Sequence, residues 1–105
     1  MKIELLSFDG CPNHERLLER LPRLLAGAGV TVPVTVRTIA DAEAAEHARF
    51  LGSPSLRIDG RDVEPDSARR TDYGLKCRIY HTAAGISGLP PDEWILAALD
   101  RGRAG

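Results

Sequence analysis

Apolar residues along this chain switch between alternating and helical spacing, and the switches mark out its elements. Residues 2–8, KIELLSF, hold an apolar centre with mixed alternation and stop at the turn pair Asp9-Gly10, which predicts a first strand. Leu17, Leu18, Leu21, Leu24, Leu25 and Ala28 then recur at helical spacing; Pro12 suits a first helical position, and Gly27 and Gly29 mark the end. Pro22 falls inside, where it removes a hydrogen bond and is expected to kink the helix.

Residues 30–39, VTVPVTVRTI, are rich in β-branched side chains and predict a second strand, with Pro33 at its beginning or on an edge. Asp41 is placed to cap a helix over 42–50 that Gly52 closes. Strand, helix, strand and helix joined by short connections imply parallel strands linked by a right-handed crossover. Ser55-Leu56-Arg57-Ile58, Asp59-Gly60 and Arg61-Asp62-Val63 then spell strand, two-residue turn and strand, a hairpin.

From residue 64 to 91 the pattern weakens. EPDSARRTDYG reads as a polar loop, LKCRIYH as a short strand, and TAAGISGLPP as a turn-rich approach to a last helix opened by Pro91-Asp92-Glu93. That helix presents Trp94, Ile95, Ala98 and Leu99 on its apolar face. The order βαβαββα predicts an α/β domain over residues 1–105. Its expected form is a mixed central sheet of at least four strands flanked by helices, with a loop-rich insertion before the last helix.

Composition narrows the function. The 105 residues suffice for one ordinary domain. Fifteen acidic residues against 14 basic ones, with no basic cluster and no aromatic-rich strand, argue against nucleic acid as a partner. No apolar run approaches the roughly 20 residues of a membrane span. The start MKIELLSFDG carries an acid where a signal peptide would continue apolar, so a cytoplasmic protein without a membrane partner is expected. No cofactor is expected, and the sequence does not specify an oligomeric state.

The chemistry resides in two cysteines, too few for a disulfide scaffold. Cys11 sits at the junction of the first strand and first helix, where unpaired backbone N–H groups and the positive end of the helix dipole favour thiolate over thiol. His14, one turn on, can add a charge or a hydrogen bond, while Asp9 and Glu15 oppose with negative charge. Such a thiol attacks a disulfide or peroxide, and the resulting mixed disulfide needs a second thiol to resolve it.

Position 14 holds histidine where a dithiol motif would hold cysteine, so Cys77 is the internal candidate, provided the two Cα atoms approach within about 7 Å. Three plainer readings stand beside this one: Cys11 fills space, His14 faces water, and Cys77, between Leu75 and Ile79 on an alternating segment, is a buried small hydrophobe. Cys11, His14 and Cys77 together would suit zinc, copper(I) or mercury. They fall short of a structural zinc's four ligands, and His47 and His81 lie at no ligand spacing, so no native metal site is expected.

A βαβ unit with a cysteine at its first strand-to-helix junction, followed by a hairpin entered through a proline, resembles the thioredoxin-like superfamily. Gly10-Cys11-Pro12-Asn13-His14 occupies the place of that family's active-site loop, and Gly52-Ser53-Pro54-Ser55 that of its cis-proline loop. More narrowly, FDGCPNH, FLGSPSLRIDGRDVEP and TDYGLKCRIY look like short bacterial thioredoxin-like proteins, some of them labelled alkylmercury lyase.

The residues and the resemblance together lead to the expectation of a thiol-dependent oxidoreductase acting on a protein or glutathione-like thiol or disulfide, with Cys11 as nucleophile, His14 as modulator and Cys77 as the candidate resolving thiol. The resemblance implies a cis Pro54 that leaves the preceding backbone free to pair with a substrate. Read from the residues alone, Ser53 and Ser55 either hydrogen-bond a substrate or only water and their own backbone, and Arg69-Arg70 with Asp72 and Tyr73 either hold an anionic ligand, with Tyr73 over the thiol, or form a solvated loop. Open alternatives are a trans Pro54, a binding module that kept the fold without turnover, and soft-metal handling with Asp9 as a nominal proton donor.

Overall fold

The computed structural model describes residues 1–104. β1 (Ile3–Ser7) is buried on both faces at Ile3, Leu5, Leu6 and Ser7, which only an inner strand allows. It pairs in parallel with β2 (Val34–Thr38), Leu5 opposite Val36, and antiparallel with β3 (Ser55–Ile58), Leu5 opposite Leu56. β4 (Arg61–Asp62) adds antiparallel to β3, giving the order β2-β1-β3-β4. The β3–β4 turn is Asp59-Gly60, both residues left-handed at φ 53° and 81°, the backbone a tight two-residue hairpin turn demands.

Two apolar layers follow from the alternation of β1. On one face Ile3 and Leu5 pack with Leu17, Leu21 and Leu24 of α1 (Pro12–Gly27) and with Ile95 and Leu99 of α3 (Asp92–Ala104). On the other, Leu6 meets Ala45 of α2 (Ala42–His47) together with Ile39 and Phe50. Each large side chain so buried contributes about 1.5–3 kcal/mol. Asp41 caps α2 by accepting the Ala44 amide at 2.8 Å. Pro22 stays inside α1, on its exposed side.

Several boundaries differ from the sequence pattern. β2 begins after Pro33 rather than at residue 30; Val30 instead fills the core from the preceding loop. The expected helix over 42–50 stops at His47 because Arg49 turns left-handed, φ 55°, and drives Phe50 into the core. The Arg57 guanidinium satisfies the freed carbonyls, donating to Ala48 at 2.7 Å and Arg49 at 3.1 Å. In the insertion, a single 3₁₀ turn spans Ser67–Arg69. β5 (Tyr80–Thr82), at the end of the strand expected over 75–81, and β6 (Gly85–Ser87), within the turn-rich stretch 82–91, form a hairpin apart from the main sheet. Among the described residues no helix is long and apolar enough to cross a membrane.

Candidate functional site

β1 leaves the sheet through Phe8 and turns at Asp9-Gly10, with Gly10 at φ 91°, a conformation side-chain-bearing residues rarely adopt. The Cys11 amide returns to the Phe8 carbonyl at 3.4 Å, and Cys11 takes the extended N-cap position of α1 without making a side-chain cap bond. Its thiol is free, and the residue is 6 % exposed. The chain covers this residue, as the space-filling alternative requires, although it stands at a helix start. His14 is half-buried, and its Nδ1 is out of solvent with no hydrogen-bond partner.

Leu6 pairs with Ser55, so the loop leading into β3 lies at the same end of the sheet as Cys11. The Ser53–Pro54 peptide is cis. Ser53, Pro54 and Ser55 are all buried. Ser55 Oγ donates to the Gly52 carbonyl at 2.6 Å, while Ser53 Oγ has no partner. The Ser53 backbone is not free for a substrate. Its N–H donates to the Lys76 carbonyl at 2.8 Å and its C=O accepts from the Arg78 N–H at 3.0 Å, an isolated parallel bridge between Ser53 and Cys77.

Segment 74–80 is thus a strap laid over loop 50–55. The Gly74 amide donates to the Phe50 carbonyl at 3.0 Å, and the Tyr80 hydroxyl to the Pro54 carbonyl at 2.5 Å. Gly52, at φ 124°, lets the strap this close: a Cβ there would stand 3.0 Å from Arg78 Cβ and 3.1 Å from the Lys76 carbonyl oxygen.

Arg78 anchors the strap. Its side chain is fully buried, donates to both Asp62 oxygens at 2.6 and 2.9 Å and to Ser55 Oγ at 2.9 Å, and approaches Glu64 at 3.4 Å. The guanidinium also lies 4.4 Å from the centre of the Tyr80 ring. Burial works against its charge, but the bonds and proximity to the two carboxylates outweigh burial and hold its protonation above the ordinary arginine value. Burial in turn pushes the Tyr80 hydroxyl well above the usual tyrosine value.

The charges continue outward along the strap. Arg70 binds Glu64 at 3.0 Å and Asp72 at 2.7 Å, and Lys76 reaches the same Asp72 carboxylate at 3.0 Å. The hydrogen bond from Arg70 holds the Asp72 carboxyl well below the usual carboxylate range. Arg70 is therefore committed within the chain, and of the adjacent arginine pair only Arg69 is exposed.

Cys77 is exposed, as are Leu75 and Ile79, while Arg78 and Tyr80 face inward. This reverses the expected alternation and excludes Cys77 as a buried hydrophobe. The cause is the Arg78 ion pair, which claims the inner face. Tyr73 is half-buried just before the Gly74 contact, and His47, His81 and Asp9 are exposed. Among the described residues no three His, Cys, Asp or Glu side chains gather to hold a metal ion, so the two cysteines and His14 do not form one.

Arg78, Asp62, Glu64 and Tyr80 were not singled out by the sequence pattern. The available signal was a pair of alternations, D-V-E and R-I-Y, each of which puts its two polar or aromatic residues on one face of its own segment. The arrangement holds a covered thiol at a helix start, a neighbouring loop whose backbone is already paired, and a second thiol on the outer side of the pairing segment. No family model, curated protein or solved structure matches this chain.

Proposed function

We propose that the chain is a thioredoxin-like thiol-disulfide oxidoreductase in which Cys11 is the nucleophile and Cys77 the resolving thiol. The observation that carries this reading is the backbone bridge between Ser53 and Cys77, which holds the second cysteine at the end of the sheet where β1 delivers the first. The strand order β2-β1-β3-β4, with β2 parallel and β3 antiparallel to β1, and a cis proline leading into β3 support the fold side of the reading.

Cys11 thiolate attacks one sulfur of a substrate disulfide, forming a mixed disulfide and releasing the other half as a thiolate that takes up the proton lost by Cys11. Cys77 thiolate then attacks the Cys11 sulfur, releasing the second half and leaving a Cys11–Cys77 disulfide. The substrate disulfide is reduced to two thiols and the cysteine pair is oxidised; an external thiol restores it. His14, with its unpartnered buried Nδ1, is the group that modulates Cys11 from the first helical turn.

Mass spectrometry after mild oxidation and peptide mapping tests the reading. A Cys11–Cys77 bridge that returns to thiols with a mild reductant supports it, and the absence of any such bridge together with an inert Cys11 sinks it. A second reading, a binding module in which Cys11 is a packing residue, is favoured by the low exposure of Cys11 and by the internal pairing of Ser53. It is the reading that the inert outcome selects.

A further inference from the structure

We infer that the strap sets the substrate class, restricting Cys11 to low-molecular-weight disulfides and excluding extended polypeptides; the inference rests on the thiol reading above. An extended peptide docks on a protein of this kind by main-chain pairing along a free backbone edge. Beside the Cys11 loop the Ser53 edge is taken, its N–H and C=O both bonded to the strap at 2.8 and 3.0 Å.

The strap is not a loose occupant. Arg78 is wholly out of solvent and bonded to Asp62 and Ser55, Tyr80 is bonded to Pro54, and Gly52 is shaped to the strap backbone. A peptide would have to expel a paired, buried guanidinium to reach Ser53. A small disulfide needs no backbone pairing. It needs only contact between one of its sulfurs and Cys11, a residue that is 6 % exposed, without displacing the strap.

The first chemical step is the one that discriminates. Cys11 thiolate breaks the small S–S bond, a Cys11 mixed disulfide forms, and the departing thiolate takes up the proton, with no other oxidant or reductant involved. Cys77→Ser protein isolates this step by removing the resolving thiol. It is reacted separately with glutathione disulfide and with the disulfide-linked dimer of a short unstructured peptide. Each rate is divided by that disulfide's rate with free cysteine.

The expected result is a normalised preference for glutathione disulfide of about tenfold or more, shrinking when Asp62→Asn loosens the Arg78 clamp. Equal normalised rates overturn the selectivity and leave the thiol reading standing, whereas no reaction with either disulfide overturns both. A measurement on the unmodified chain guards against a variant that fails to fold. The Ser53 and Arg78 amides must exchange slowly with solvent, and rapid exchange there removes the strap from the explanation.

Discussion

Arg78 clasps both carboxylate oxygens of Asp62, at 2.6 and 2.9 Å, from a position with no solvent contact. Truncating one partner of such a pair strands the other. Arg78→Ala should lower unfolding free energy by about 3–5 kcal/mol, since Asp62 and Glu64 lose their common cation. Replacing Arg78 by Met and Asp62 by Leu together should cost less than the sum of the single changes. Urea denaturation of the four proteins of that cycle measures the coupling, and strict additivity would refute the pairing.

Tyr80 gives the chain an alkaline limit. Burial raises its folded-state value, so above the ordinary tyrosine value of about 10 the unfolded chain releases a proton that the folded chain keeps. The folded state then binds more protons, and stability must fall as pH rises beyond that point, while below it the contribution is fully present. Tyr80→Phe should cost about 1–3 kcal/mol near neutral pH by leaving the Pro54 carbonyl unpaired, and it should flatten the alkaline decline. Melting temperatures of both proteins between neutral and strongly alkaline pH test this, and parallel curves would contradict it.

Gly52→Ala is the smallest change that disturbs the strap. The alanine would meet both a left-handed backbone at φ 124° and contacts of 3.0–3.1 Å to Arg78 and Lys76. A loss of roughly 1–3 kcal/mol is expected from the backbone conformation alone. Hydrogen exchange should quicken at the Ser53 and Arg78 amides while the β1–β2 amides stay slow. Uniform quickening throughout would show global loosening instead.

Cys77→Ser separates chemistry from stability. The site is exposed, so the change should move unfolding free energy by no more than about 0.5 kcal/mol. Under oxidation with a small disulfide, the mixed disulfide on Cys11 should persist in the variant and decay in the unmodified chain. Whole-protein mass spectra taken over time distinguish the two, and equal lifetimes would remove Cys77 from its resolving role.

The regular part of the fold was legible because each apolar period served one core. Leu17, Leu21 and Leu24 of α1, Leu5 and Leu6 of β1, and Leu56 and Ile58 of β3 point where their spacing puts them. The α2 end was not legible, because Phe50 keeps a helical spacing while Arg49 has already turned the chain. The strap was misread for a different reason. A pattern reader sends arginine outward and cysteine inward, yet Asp62 and Glu64, distant in sequence, draw Arg78 inside and turn Cys77 and Ile79 to solvent. Local alternation records that two faces exist; which one is buried was decided by partners in another hairpin.

The bridge at Ser53 also bears on how copies of this chain meet one another. Unpaired backbone beside a sheet is a template for a neighbouring molecule's strand, and proteins commonly blunt such edges by covering them. Here the cover is a segment of the same chain, held by its backbone bonds to loop 50–55, by the Tyr80 hydroxyl and by a buried cation. Losing that hold would uncover two complementary backbones at once, the loop at Ser53 and the strap itself, each able to pair with the other's counterpart in a second molecule. The expected failure of a weakened clamp is therefore exchange of straps between molecules and a concentration-dependent growth of larger species.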